Sequence, residues 1–307
     1  MNTDSAMLPV IVKDLCVSCG ACVQVCPDRI IALDASGLAA LAPVDGCMQC
    51  GHCHAVCPEE AIRVPFLDTD FTLSAVLSPE AGRSGPVAAA PLMELLSMRR
   101  SCRRFTTASV PKPILEDLVR AGTTAPSATN CQSWQFHVLP ERPHVIALGA
   151  ATANYYRKLN ARAARPWLRF VLRMAGVRTL QYYYDNYYET IRLGLEAWDN
   201  DGTDRLFHGA TAALVVTADC RASCPCEDAL MASQNILLMA ETMGLGTCMI
   251  GFVVEAAKRD PAIGALLDLA DYQKIYSVIG IGYPDVEFER AAGRKPVQPR
   301  IVRPGDS

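Results

Sequence analysis

The chain has 307 residues, 50% of them hydrophobic, with a formal net charge of -3 and a pI near 6.0. That length and apolar content can bury a full core and leave room for a second, smaller domain. The charge excludes a globally basic nucleic-acid binder, and no apolar stretch is long enough to span a membrane.

Residues 1–13 carry no basic segment followed by an apolar run, so no secretory signal is expected. A cytoplasmic protein is expected, in which the 14 cysteines serve as ligands or packing residues rather than disulfides. Charge is unevenly spread: seven acids face three bases through Pro65, and the remainder is nearly balanced.

Within that acidic segment, Cys16-x-x-Cys19-x-x-Cys22-x-x-x-Cys26-Pro27 recurs in full as Cys47-x-x-Cys50-x-x-Cys53-x-x-x-Cys57-Pro58. Three closely spaced thiolates can take three corners of a cubane cluster, while a fourth, followed by proline, reaches a second cluster. Cys-x-x-Cys is also a zinc spacing, but a zinc site usually takes two ligands from each arm, and each arm here supplies four. The segment resembles a bacterial two-cluster ferredoxin. The resemblance implies one [4Fe-4S] cluster on Cys16, Cys19, Cys22 and Cys57 and another on Cys47, Cys50, Cys53 and Cys26. His52 and His54 are expected to be exposed loop residues. Residues 29–33 read as a short strand before a turn, and residues 61–64 match them after the second motif. So small a domain has little core, and its clusters would hold it together.

Residues 66–91 are rich in proline, glycine, serine and alanine and read as a linker between domain 1–65 and domain 92–307. Next comes Arg99-Arg100-Ser101-Cys102-Arg103-Arg104-Phe105. Forked guanidinium donors and a hydroxyl suit a phosphate, although basic clusters at helix ends are also commonly solvated. Residues 113–122 read as a helix with proline at its start and glycine at its end. A polar loop, 125–133, then runs into an alternating strand. Further strands are expected at 212–218, 248–254 and 276–281, and a fully buried helix at 229–243. The alternation favours an α+β or α/β sandwich with a covered sheet.

Five landmarks stand in order: Arg-Arg-Ser-x-Arg-x-Phe at 99–105, Ala-Pro-Ser-Ala-x-Asn-x-Gln-x-Trp at 125–134, Gly-Leu-Gly-Thr at 244–247, Ile-Gly-Tyr-Pro at 281–284, and Arg294-Lys295-Pro296. Together they resemble the nitroreductase superfamily of FMN enzymes. The resemblance implies an α+β fold, a nitroreductase-like α/β sandwich whose central sheet is flanked by helices, assembled as a homodimer with FMN at the subunit interface. It implies that Arg99, Arg100, Ser101 and Arg103 hold the phosphate and ribityl end, joined by Arg294 or Lys295. Pro126, Ser127, Ala128, Asn130 and Gln132 would line the flavin from the partner subunit, and Met249, Ile250 and Gly251 would lie against its ring. Some relatives have a carboxylate where Ile250 stands, so no side-chain role transfers there.

Residues 151–204 are long for this family's core and read as a helical lid insertion. Arg162, Arg165, Arg169 and Arg173 recur there at helical spacing among apolar residues, and Tyr182, Tyr183, Tyr184, Tyr187 and Tyr188 follow. A packed amphipathic helix, a substrate-contacting lid and a membrane-surface helix all fit that pattern. Cys220, Cys224 and Cys226 read as structural cysteines lacking a fourth local ligand for a metal. Cys102, Cys131 and Cys248 read as small packing residues.

The two resemblances imply an FMN- and iron-sulfur-dependent oxidoreductase. Two [4Fe-4S] clusters would relay electrons from a ferredoxin- or flavodoxin-type donor to FMN, for reduction of a small organic acceptor such as a nitroaromatic or quinone. An NAD(P)H-dependent flavin reductase-type enzyme and a non-catalytic electron-transfer or redox-sensing protein are the alternatives. No side chain is named as catalytic.

Overall fold

The computed structural model describes residues 8–43, 46–72 and 87–302. These form two compact units, one running through Arg99 and resuming at Val286, the other spanning Arg100–Asp285.

In the first unit, β1 (Val10–Ile11) pairs antiparallel with β4 (Ile62–Arg63), and β2 (Ile31–Leu33) with β3 (Ala39–Leu41). Two single-turn helices, α1 (Ala21–Val25) and α2 (His52–Val56), each follow a left-handed glycine, Gly20 at φ 72° and Gly51 at φ 69°. Ser18 and Gln49 also match in left-handed conformation, at 59° and 57°, as do Arg29 and Glu60, at 55° and 51°. The cysteine repeat is therefore a repeat of backbone conformation as well as of sequence. Val25, Ile30, Ile31, Val56 and Ile62 form a small core beneath both motifs.

The C-terminal segment belongs to this unit. Val286 and Phe288 pack on its core, and the Glu289 amide donates to the Ala55 carbonyl at 2.9 Å. Asp68 and Arg294 exchange two backbone hydrogen bonds, at 2.7 and 2.8 Å. Residues 66–72, within the expected linker 66–91, and residues 286–302, within the expected domain 92–307, are thus part of the first unit. Of that linker, residues 73–86 lie outside the described residues, and α3 (Ala89–Met98) begins within its last part.

The second unit is built on a four-stranded antiparallel sheet of order β5 (Trp134–Leu139), β6 (Ala212–Asp219), β8 (Gln273–Gly282), β7 (Gly246–Met249). Alternation along β6 divides the core. Ala213 and Val215 point toward a cluster containing Val145 and Leu148 of α5 (Arg142–Ala163) and Val253 of α10 (Gly251–Ala257). Leu214 and Val216 point toward Leu115 and Leu118 of α4 (Lys112–Gly122) and Ile236 and Ala240 of α9 (Pro225–Thr242). Helices thus cover both faces of the sheet, as the α/β sandwich reading requires.

Two elements differ from expectation. The strand expected at 248–254 ends at Met249, and helix α10 begins at Gly251. Val253 and Val254 have strand propensity, but Val253 is fully buried in a helical packing site, and tertiary packing overrides the propensity. Helix α9 is not buried all round. Ala229, Ala232, Ile236 and Ala240 are fully covered, while Leu230, Met231 and Met239 on other faces are exposed.

Residues 151–201 are mostly helical: after α5, which starts ahead of them at Arg142, come α6 (Pro166–Met174), α7 (Thr179–Asn186) and α8 (Tyr188–Asp201). Pro166 takes the first turn of α6 and separates it from α5, because proline lacks the amide that a continuous helix needs. A short helix, α11 (Pro261–Leu266), precedes β8 and is capped by Asp260, whose carboxylate accepts from the Ala262 amide.

Candidate functional site

The eight motif cysteines surround two separate cavities. One is lined by Cys16, Cys19, Cys22 and Cys57, the other by Cys26, Cys47, Cys50 and Cys53. Each cavity takes three thiols from one motif and the fourth from the other, because the chain leaves each single-turn helix through a Cys-Pro step. Among the described residues, no three His, Cys, Asp or Glu side chains form a group suited to a single metal ion. The thiols are arranged around a volume rather than a point, which fits the corners of a cubane.

The walls are apolar, with Leu33, Ala39, Ala61 and Ile62 at the first cavity and Pro9, Ile30, Ile31 and Phe66 at the second. Backbone amides point at the sulfurs: Ala39 to Cys16 at 3.5 Å, Ala61 to Cys57 at 3.3 Å and Gln49 to Cys47 at 3.4 Å. Such amide donors favour added negative charge and set reduction potential. Burial pushes Cys22 up to about 11 and Cys53 up to about 12, with neighbouring thiols adding to the effect. Cys22 and Cys53 therefore keep their protons at neutral pH, and iron bound there would have to displace them.

His52 and His54 are not exposed loop residues. His52 is buried on α2 and sits 5.3 Å, centroid to centroid, from Phe288, and His54 Nδ1 lies 2.7 Å from the Ile62 carbonyl. The C-terminal segment that covers them could not be located from local sequence. It also contributes Arg290, which donates to the carbonyls of His54 and Cys57 and lies 3.7 Å from Glu60. Nothing in the sequence pointed to Arg290, because residues 286–294 have no periodicity.

In the second unit, the residues after Arg99 run alongside β7. Ser101 bridges Thr247, the Cys102 amide donates to the Thr247 carbonyl at 2.8 Å, and Phe105 bridges Pro284. Three of the five landmarks are thereby joined. Gly246 permits this approach, since a Cβ there would lie 2.7 Å from the Cys102 sulfur. Arg100 is buried, and Arg104 pairs with Asp285 at 2.7 Å. Arg103 Nη1 and Thr247 Oγ1 are buried with no hydrogen-bond partner among the described residues. An orphaned buried guanidinium nitrogen fits an anionic group such as a phosphate. Burial first, and then the Arg103 charge, push His208 down to about 4, so it faces the arginine as a neutral imidazole.

The loop carrying Pro126, Ser127, Ala128, Asn130 and Gln132 is held at a different place. Thr129, Asn130 and Gln132 all have positive φ, at 53°, 53° and 46°. Strained non-glycine residues persist where surrounding contacts fix them and are common at ligand sites. Buried Asp228, in the first turn of α9, accepts from the Ala128 amide at 3.0 Å and from the Cys131 thiol at 3.4 Å, and Ser127 Oγ accepts from the Gln132 amide at 3.0 Å. Asp228 positions the loop and was missed from sequence; an acid in the first turn of an apolar helix is the signal it left. Cys131 is exposed rather than packed, whereas Cys102 and Cys248 are buried as expected.

Met249 is exposed, Ile250 is buried with its amide on the Val278 carbonyl at 2.8 Å, and Gly251 opens α10. Arg294 and Lys295 are in the first unit with Arg99, and the Arg294 guanidinium donates to the Gly293 carbonyl. Cys220, Cys224 and Cys226 flank the start of α9, with Pro225 in its first turn as expected. Among the tyrosines after α6, Tyr183 is half-buried and its hydroxyl donates to Asn160, while Tyr182 is exposed.

Residues 96–283 match the family model described as the nitroreductase family, and residues 8–58 match a 4Fe-4S dicluster domain. The chain is 28% identical over 245 residues to 4-nitrobenzoate reductase from Nocardioides sp. (strain LMS-CY), covering 71% of this chain and 93% of that protein. It is 27% identical over 190 residues to NADH dehydrogenase from Thermus thermophilus, covering 62% and 84%. It is also similar to the crystal structure of a nitroreductase with bound FMN from Bacteroides fragilis NCTC 9343, with TM-score 0.46 and 19% identity over 70% of this chain and 96% of that one. The chain belongs to the nitroreductase family and carries a 4Fe-4S dicluster domain ahead of its family core.

Proposed function

We propose that this protein is an FMN-dependent oxidoreductase whose own two [4Fe-4S] clusters feed electrons to the flavin. The observation that carries the reading is the sorting of eight cysteines into two four-thiol cavities in the same chain as a nitroreductase core. Clusters carry single electrons and a flavin handles one or two, so the pair links a ferredoxin- or flavodoxin-type donor to two-electron reduction of an organic acceptor.

In this reading Arg100, Ser101 and Arg103 hold the FMN phosphate. The buried, unpartnered Arg103 nitrogen supports that role. Arg99, Arg294 and Lys295 enter through the family resemblance. Pro126, Ser127, Ala128, Asn130 and Gln132 line the flavin across a homodimer, and Met249, Ile250 and Gly251 lie against its ring. The exposed Leu230, Met231 and Met239 of α9 support burial against a second copy. Likeness to a 4-nitrobenzoate reductase supports a nitroaromatic acceptor, with quinones the other class. The protein works in the cytoplasm.

An anaerobic turnover assay tests this function. Reduced ferredoxin should drive reduction of a nitroaromatic by the loaded protein, and removal of the clusters by chelation should abolish it while FMN stays bound. Undiminished ferredoxin-driven turnover after cluster removal would overturn the relay, and rapid turnover with NADPH alone would point to direct donation to the flavin.

A further inference from the structure

Helix α6 leaves an apolar stripe facing water. It packs on α5 and α7, with Leu168 and Leu172 half-buried. Trp167, Phe170, Val171 and Met174 are exposed by 62%, 65%, 54% and 73%. Their i, i+3, i+4, i+7 spacing puts all four on one face. Single exposed apolar residues are ordinary, but a contiguous stripe on a helix marks a surface that something covers.

The charge around the stripe says what kind of surface covers it. Between Glu141 and Asp185 the chain has no acid, seven arginines and one lysine, although the whole chain is net -3. Arg142 and Arg157 are paired with Asp204 and Asp199, and Arg169 stacks over the Tyr184 ring at 3.7 Å. Arg165 at the start of α6, Arg173 in its last turn and Arg178 just beyond are all exposed. On α5 and α7, the helices packed against it, the one acid is Asp185, which accepts from Gln181 at 2.7 Å.

We propose that α6 lies on the surface of an anionic lipid bilayer. Trp167, Phe170, Val171 and Met174 enter the boundary between headgroups and acyl chains, and Arg165, Arg173 and Arg178 meet the lipid phosphates. A bilayer supplies the apolar layer and the negative charge that this surface needs together. A two-fold contact with a second copy through the same stripe would instead set the arginines of one protomer against those of the other. Among the described residues no helix is long and apolar enough to cross a membrane, so α6 attaches to one face only.

Vesicle flotation of the full-length protein tests it. The protein should float with vesicles of equimolar phosphatidylcholine and phosphatidylglycerol, stay behind with phosphatidylcholine alone, and be released by high salt. Two double variants, Trp167→Ser with Phe170→Ser and Arg165→Glu with Arg173→Glu, should each weaken binding by about tenfold or more. No residue of α6 is fully buried, so both variants should keep the far-UV circular dichroism spectrum and melting temperature of the parent. The proposal is overturned by absence of flotation with the anionic vesicles, by equal binding to neutral ones, or by unchanged binding in both variants. Sedimentation velocity gives a further contrary result: loss of a self-associated species in the Trp167/Phe170 variant would mean that another copy covers the stripe.

Discussion

The two cysteine motifs have the same spacing and the same left-handed backbone at Ser18 and Gln49, Gly20 and Gly51, Arg29 and Glu60, yet their surroundings differ. A Cβ added at Gly20 would meet nothing within 4 Å, whereas one at Gly51 would meet the Ala292 carbonyl oxygen at 1.9 Å. The C-terminal segment straps the second motif, through Phe288 on His52, Glu289 on Ala55 and Arg290 on the carbonyls of His54 and Cys57. Motif spacing decides where the sulfurs go, and a remote segment decides the field and solvent around them. Two sites of equal ligand chemistry thereby have unequal surroundings, and hydrogen bonding and exposure are what tune the potential of a cluster.

Removing a crossed ligand gives the largest expected effect. Cys57→Ser should remove the cluster shared with Cys16, Cys19 and Cys22, lowering bound iron by about half, and leave the site of Cys26, Cys47, Cys50 and Cys53 intact. Iron analysis with low-temperature electron paramagnetic resonance checks this. Retention of the cluster with Cys16, Cys19 and Cys22 in that variant would mean that the ligands are not crossed.

Paired glycine substitutions probe the strap itself. Gly20→Ala and Gly51→Ala each place a side chain at positive φ, which costs roughly 1 kcal/mol. Gly51→Ala must also push the strap's backbone away, adding roughly 1–3 kcal/mol. Chemical denaturation of the iron-loaded protein should show the larger loss at Gly51, and equal losses would remove the asymmetry.

A pH series separates the two units. His208 in the second unit titrates near 4 in the fold, against 6.5 for a free imidazole. The unfolded chain therefore binds the extra proton first. The stability that His208 contributes is complete above about pH 6.5 and is lost as pH falls toward 4, amounting to roughly 3 kcal/mol. His208→Asn tolerates the left-handed φ of 57° at this position and should flatten that part of the stability profile relative to the parent protein.

The smallest effect concerns potential. Arg290 places a guanidinium on the Cys57 carbonyl, which favours the reduced, more negative cluster. Arg290→Gln should lower the midpoint potential of the cluster ligated by Cys57 more than that of its neighbour in a spectroscopically monitored redox titration. Equal shifts in both would show that the strap does not distinguish them.

Much of this was legible in the sequence because the chemistry is local. The resemblance carried by the cysteine repeat implied two groups of four cysteines, and the same two groups line the two cavities; the landmarks at 99–105, 244–247 and 281–284 are joined in one sheet edge through Ser101, Thr247, Phe105 and Pro284. What sequence missed depends on distant contacts. His52 looked exposed because the Phe288 that covers it lies far along the chain, and Arg290 sits in a segment without pattern. Asp228 looked like an ordinary helix-start acid until its carboxylate was seen holding the Ala128 amide. The strand expected at 248–254 failed because Val253 fills a helical packing site.

Anaerobic stopped-flow mixing tests most directly whether electrons reach the flavin through the chain's own clusters. Reduced ferredoxin mixed with the loaded protein should bleach the cluster absorbance first and the flavin absorbance after it, and Cys57→Ser should slow the flavin phase severely while FMN remains bound. Flavin bleaching at the parental rate in that variant, or bleaching by NADPH but not by reduced ferredoxin, would contradict the account.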